Sequence, residues 1–258
     1  MNTFFLDRLN GEPHALAFAG QSTPWPVALT DQSANPVLNE ALHAHADAAQ
    51  ALLYPVSADL LATTGRPVDL FGFEPNPARL GAAAAASASV PGIALAQLGA
   101  LLDAASLGYN PAVAKPVAVL GHSQGVLAVH MVQSIVEAGS IEAASAQIDE
   151  ILAIATLIGV AGTRQARQLG LAARHGEATP MLSVKDITRA QVDALIKRVS
   201  GARGPIAVAV TNSATHYVLS GYPEDLAAFG VEVAKEHKRQ AKLREEKVRG
   251  GRVFGPTL

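Results

Sequence analysis

The run Gly121-His122-Ser123-Gln124-Gly125 has the G-x-S-x-G spacing of a nucleophile elbow. Such an elbow needs a strand before it and a helix after it. The apolar Pro116–Leu120 run and the helical Val126–Ala138 periodicity supply both. A sharp turn there presents the Ser123 hydroxyl at the positive end of the following helix. The amide of Gln124 is then placed to donate to an oxyanion. Gly121 and Gly125 leave room, because a Cβ at either position would crowd the turn. The chemistry would be nucleophilic, through an ester on Ser123.

A serine hydroxyl needs a general base, usually histidine. The chain has eight: His14, His43, His45, His122, His130, His175, His216 and His237. His122 adjoins the nucleophile and would point elsewhere on the turn. His43 and His45, two apart on a helix, share no face and read as surface residues rather than metal ligands. His130 reads as packed, two turns into the elbow helix. His216 opens a strand, and His237 lies in a charged helix. No local pattern marks any of them as the base.

Composition narrows the class. The 258 residues are 49% apolar and 16% charged, with net charge −2 and no cysteine. Average domains carry roughly 25% charge, so the chain is lean in charge. A disordered or nucleic-acid-coating chain would be rich in it. Without cysteine there is no disulfide, thiolate nucleophile or cysteine-ligated metal. Asp7 and Arg8 interrupt the start where a signal peptide needs apolar residues, and no uninterrupted apolar run reaches bilayer length. The expectation is a folded cytoplasmic protein with no membrane or nucleic-acid partner and no metal. Its lean charge also suits a piece of a larger assembly with surface meant for burial.

The elements that must position Ser123 follow from pattern. Ala15–Ala19 and Pro116–Leu120 read as buried strands. Leu38–Leu53 and Pro91–Leu107 read as helices, the second started by its proline. Residues 71–81 read as loop, and Ala82–Ala86 as low-complexity loop or helix surface. A helix from Ile141 to Leu169 is expected, capped by Ser140, with a break at Gly159 or Gly162. Beyond it come a strand at Met181–Val184 and a helix opened by the Thr188–Gln191 capping box and running to about Val199. Strands at Ile206–Val210 and His216–Ser220 follow, then a helix from Pro223 to about Lys242. This β-α-β-β-α order is a ferredoxin-like unit lacking its last strand, which Val253-Phe254 could start. The expected fold is α/β, with residues 1–178 and 179–258 as its two parts.

Together these residues resemble the malonyl/acetyl-CoA:acyl carrier protein transacylase family. The resemblance rests on GHSQG at 121–125 and on Phe18-Ala19-Gly20-Gln21 about a hundred residues upstream. More narrowly, the chain resembles the acetyltransferase domain of type I fatty acid synthases of actinobacteria and fungi. Ser89–Gln97, Thr211-Asn212-Ser213 and Val218–Gly221 support that. The family implies an α/β-hydrolase-like large subdomain with a parallel sheet and an inserted ferredoxin-like small one. It implies Ser123 as nucleophile, with Gln124 and Gln21 serving the oxyanion hole. The acyl group would pass from a coenzyme A thioester to the phosphopantetheine thiol of an acyl carrier protein domain, beside other synthase domains. Coenzyme A is a substrate there, and no cofactor is bound permanently.

Two departures from the family pattern carry information. Malonyl-specific members hold the malonyl carboxylate with an arginine on the helix after the elbow. The aligned position here is Ile158, before Gly159, and Arg164 lies under two turns on. An apolar residue gives a carboxylate no partner, so acetyl is the expected acyl group. The family's base histidine follows the small subdomain, whereas this sequence reads Val253-Phe254-Gly255-Pro256-Thr257-Leu258 at its end. The expectation is a truncated domain without its base and with slow acylation, since general-base help is worth about 10²–10⁴-fold.

The alternatives are a serine esterase or thioesterase and a non-catalytic synthase fragment. Eight basic residues between Lys235 and Arg252 read first as a solvated helix end. Their functional reading is a dock for an acidic carrier protein or a neighbouring domain.

Overall fold

A computed structural model describes residues 8–20, 25–53, 86–168, 181–199 and 205–250. The chain divides into two compact units, Met1–Leu169 and Gly170–Leu258. The boundary expected at 178/179 lies outside the described residues, as do the 71–81 loop and most of the Ala82–Ala86 run.

In the first unit, β1 (Ala15–Phe18) pairs in parallel with β2 (Ala118–Gly121), Phe18 opposite Gly121. Between them run α1 (Trp25–Ser33), α2 (Pro36–Leu53), α3 (Ala86–Ser106) and the short α4 (Pro111–Ala114). A 3₁₀ turn at Ser123–Gly125 follows β2, then α5 (Val126–Ala138) and α6 (Ser145–Gln168). The parallel pairing and interleaved helices make this unit α/β, the expected class.

Helix periodicity explains the packing. On α2 the buried residues are Leu38, Leu42, His45, Ala46, Ala49 and Leu53, one face of a 3.6-residue repeat. Helix α3 is apolar nearly all round and therefore lies in the core, with Ile93, Leu95 and Leu98 fully buried. Met131, Val132 and Ile135 of α5 and Ile148 and Leu152 of α6 complete that core.

Four expectations need correction here. The strands are not buried: β1 alternates exposed and half-buried residues, and Leu120 on β2 is 60% exposed. Leu16, Phe18 and Val119 pack on the helical core, while the opposite face of this two-stranded sheet has no covering layer among the described residues. Helix α3 begins five residues before Pro91, which lies inside it. The missing proline N–H removes one helical bond. Burial of Ala88, Ser89 and Val90 and the Ser87 N–H donating to Thr163 Oγ1 at 2.8 Å offset that loss. Helix α6 is unbroken through Gly159 and Gly162, and the Ile141–Ala144 stretch before it forms a turn held by Ala143 N–H donating to Ser140 Oγ. Finally, Ser87–Ser106 and Ser145–Gln165 are long and apolar enough to cross a bilayer. Isolated polar residues interrupt both helices, so neither stands out as a continuous apolar run. Both helices pack in the core of this unit.

The second unit orders β3 (Met181–Lys185), α7 (Arg189–Val199), β4 (Ala207–Ser213), β5 (His216–Ser220) and α8 (Pro223–Gly250). Its antiparallel sheet runs β3-β5-β4, the order that a ferredoxin-like unit gives its first three strands. The capping box is formed: Gln191 Oε1 accepts from Thr188 N–H at 2.9 Å, and Thr188 Oγ1 accepts from Gln191 N–H at 3.4 Å. Val184, Tyr217 and Leu219 point to a core shared with Val192, Leu195, Leu226 and Phe229, while Ser183 and Lys185 alternate outward. Helix α8 runs eight residues past its expected end. Val253-Phe254, the expected start of a last strand, lies outside the described residues.

Candidate active site

Strand β2 delivers the chain to Ser123, whose φ is +55°. Left-handed backbone costs an L-residue roughly 1–2 kcal/mol, so it survives only where the surroundings impose it. Those surroundings are three close backbone approaches. A Cβ on Gly121 would stand 2.6 Å from the Gly125 carbonyl and the Val126 nitrogen. One on Gly125 would overlap the Phe18 carbonyl oxygen and come within 2.9 Å of that of Ala19. One on Gly20 would lie 2.7 Å from the His122 oxygen and 2.8 Å from Ser123 Cβ. Only glycine fits at each point.

Hydrogen bonds fix the same register. His122 N–H donates to Phe18 O at 2.9 Å, extending the β1–β2 ladder one residue. Gly125 N–H then closes the turn on His122 O at 2.9 Å. The turn leaves Ser123 exposed, at the N-terminal and therefore positive end of α5. Strand, turn and helix thus stand where the sequence placed them.

The other site candidates fare differently. Gln124 sits in the turn, and its side-chain Nε2 is buried without a hydrogen-bond partner. Gln21 lies outside the described residues, although its neighbour Gly20 packs against Ser123. Ile158 is on α6, 51% exposed, with Gly159 buried beside it; Arg164 is exposed further along the helix.

Among the described residues, no histidine is bonded to Ser123. His14 Nε2 meets Tyr109 Oη at 2.8 Å, and His216 Nε2 meets Ser183 Oγ at 3.0 Å. Two histidine readings are reversed. His130, expected to be packed, is exposed; it falls on the solvent side of α5, away from the Met131, Val132 and Ile135 face. His45, read as a surface residue, is 9% exposed, and its Nδ1 meets Asp149 Oδ1 of α6 at 2.6 Å. Its four-residue spacing from buried Ala49 and three-residue spacing from Leu42 was the signal. Among the described residues no group of three or more histidine, aspartate or glutamate side chains could hold a metal.

Sequence reasoning also missed a contact made by Gln97 behind the elbow. From α3, 7% exposed, it donates Nε2 to Ala19 O at 2.6 Å. That carbonyl lies between Phe18 and Gly20 and itself approaches Gly125 of the elbow.

Comparison with known families finds one match. Residues 180–258 match the model of the fatty acid synthase central AT domain, which covers the second unit and not the elbow. No curated protein matches the chain. Among solved structures it is similar to the acyl-carrier-protein-S-malonyltransferase of Bartonella henselae, at 16% identity and a TM-score of 0.47. That alignment covers 87% of this chain, and the chain spans 60% of the length of that structure. A likeness so slight assigns neither fold nor activity.

Proposed function

We propose that the protein is an acyltransferase domain that moves an acetyl group from acetyl-CoA to the phosphopantetheine thiol of an acyl carrier protein. The observation that carries this reading is Ser123, an exposed residue held at φ +55° on a strand–turn–helix elbow. The family match over residues 180–258 supports a place in fatty acid synthesis. Work beside other synthase domains, in the cytoplasm, is part of this proposal.

In the first half-reaction, Ser123 Oγ attacks the thioester carbonyl. The C–S bond breaks, coenzyme A leaves as its thiol, and the hydroxyl proton passes to it through a base. In the second, the carrier thiol attacks the ester carbonyl, and Ser123 regains its proton as it leaves. The developing oxyanion lies at the positive end of α5, where Gln124 N–H and Gln21 serve it. Coenzyme A enters and leaves as substrate, and no resident cofactor takes part.

Acetyl is favoured over malonyl because the position that carries an arginine in malonyl-specific members of the resembled family is Ile158 here, and an apolar side chain offers a carboxylate no hydrogen bond. Without a general base beside Ser123, acylation would be slower by about 10²–10⁴-fold than with one in place.

The test is incubation with labelled acetyl-CoA and malonyl-CoA, with the adduct mapped by mass spectrometry. A stable acetyl adduct on Ser123 supports the transferase. Rapid release to water points to a hydrolase. Malonyl and acetyl adducts in equal yield would remove the Ile158 argument. No adduct from either, with a folded chain, would leave a binding or structural module.

A further inference from the structure

We infer that Gln97 is a positioning residue for Ser123, acting through the backbone of Ala19 and Gly20. The inference rests on the acyl-serine reading and adds to it a second layer behind the nucleophile.

Three consecutive residues leave β1, and each is tied to something different. Phe18 O accepts from His122 N–H. Ala19 O accepts from Gln97 Nε2 at 2.6 Å. Gly20 lies so close to Ser123 that a Cβ would reach within 2.8 Å of the serine Cβ. Gln97 therefore anchors the middle of the segment against which the elbow is folded, and α3, its helix, also packs on the Ser123–Gly125 turn. The same segment leads into Gln21, the second oxyanion candidate.

A comparison inside the molecule separates position from bond type. Gln32 on α1 makes the same kind of contact with α3: its Nε2 donates to Ala96 O at 2.9 Å. Both glutamines bury an Oε1 that has no hydrogen-bond partner. A buried acceptor left without a partner is destabilising wherever it lies. Both positions bear that cost, so the unmet oxygen does not mark function. What distinguishes Gln97 is the carbonyl it holds, one residue from the glycine under Ser123.

The pair supplies its own control. Gln97→Met and Gln32→Met each delete one donor while keeping side-chain length. Gln97→Glu keeps the acceptor oxygens and can donate to Ala19 O only when protonated. Each full-length variant is followed by labelling of Ser123 with acetyl-CoA and with a fluorophosphonate, a general serine probe. Amide exchange of the peptides spanning β1's exit and the elbow is measured alongside, with melting temperatures for all.

Gln97→Met is expected to slow labelling about 10–100-fold, the scale of a 1 Å misplacement, at unchanged half-saturating acetyl-CoA. Exchange should quicken in the elbow peptides. Gln97→Glu should be as slow at pH 8 and recover toward pH 5, as a buried carboxyl takes up a proton. Gln32→Met should melt earlier to a similar degree and label at the wild-type rate. Gln97→Met labelling at the wild-type rate, or Gln32→Met slowing it equally, would overturn the inference.

Failure of the parent reading is distinguishable. A wild-type serine that takes the fluorophosphonate but not acetyl-CoA removes the acyl-CoA assignment, and the probe rates still decide Gln97. If wild-type Ser123 takes neither, the exchange decides: elbow peptides unchanged in Gln97→Met relative to Gln32→Met would sink the positioning role.

Discussion

The elbow of the first unit and the surface of the second hold their polar groups in opposite ways. At the elbow the constraint is backbone against backbone: three glycines touch carbonyls or Cβ atoms, and Ser123 takes a left-handed conformation as a result. On the second unit the constraint is side chain against side chain. Ser183 Oγ and Asn212 Nδ2 both approach His216 Nε2, at 3.0 and 3.4 Å. Glu236 on α8 receives Arg239 at 2.6 Å and Gln191 of α7 at 3.0 Å. Backbone contacts cannot move aside, whereas exposed side chains rotate and re-hydrate. The elbow should therefore fail abruptly under substitution and the second unit's surface gradually.

The largest expected effect is on chemistry. Ser123→Ala should abolish acetyl-CoA labelling, with stability held near wild type, because it removes one exposed oxygen. Adduct mapping and a thermal melt check both halves. An adduct that persists on another residue would mean the elbow is not the reactive centre. Next comes Gly125→Ala. Its new Cβ would meet the Phe18 carbonyl oxygen, so β1 must separate from the turn. Overpacking of this kind costs about 1–3 kcal/mol, read as a lower urea midpoint, and labelling should fall with it. A Gly125→Ala protein with wild-type midpoint would contradict the account of the elbow as a steric lock.

How far the sequence foretold this divides along the same line. The elbow was legible because its constraint is local: G-x-S-x-G is a five-residue statement of which Cβ atoms are forbidden. The capping box at Thr188–Gln191 was legible for the same reason. Gln97 and His45 were not, because each finds its partner far along the chain, at Ala19 and Asp149. The strands' burial was misjudged because an apolar run reports what a strand could bury, while its covering depends on layers contributed from elsewhere. Helix α3 overran Pro91 for a related reason: the core contacts of Ala88 and Val90 and the cap from Thr163 are tertiary.

Between the extremes stands His45→Leu. The His45–Asp149 contact joins α2 to α6 with both side chains nearly buried, at 10% and 14% exposure. Removing the imidazole leaves a shielded carboxylate without that partner, a loss of about 1–3 kcal/mol. The urea midpoint should fall while Ser123 labelling, measured well below the transition, stays unchanged. Loss of labelling at full folding would show that this contact reaches the elbow.

The smallest effect is expected at Glu236. The Arg239 hydrogen bond, with further ones from Gln240 and Gln191, holds its carboxyl down from 4.5 to about 2. A carboxyl whose folded pKa lies below its unfolded one stabilises the fold above the unfolded value. That contribution fades as pH falls from about 4.5 toward 2. Arg239→Met should raise the Glu236 midpoint toward its ordinary value, followed by carboxyl NMR. The stability difference between wild type and variant should be small at pH 7 and shrink further below pH 4. It is small because Arg239 is 63% exposed, so water and salt compete for it. A Glu236 midpoint that stays near 2 in the variant would transfer the control to Gln191 and Gln240. The second unit would then share the elbow's property of holding a group through contacts that do not relax.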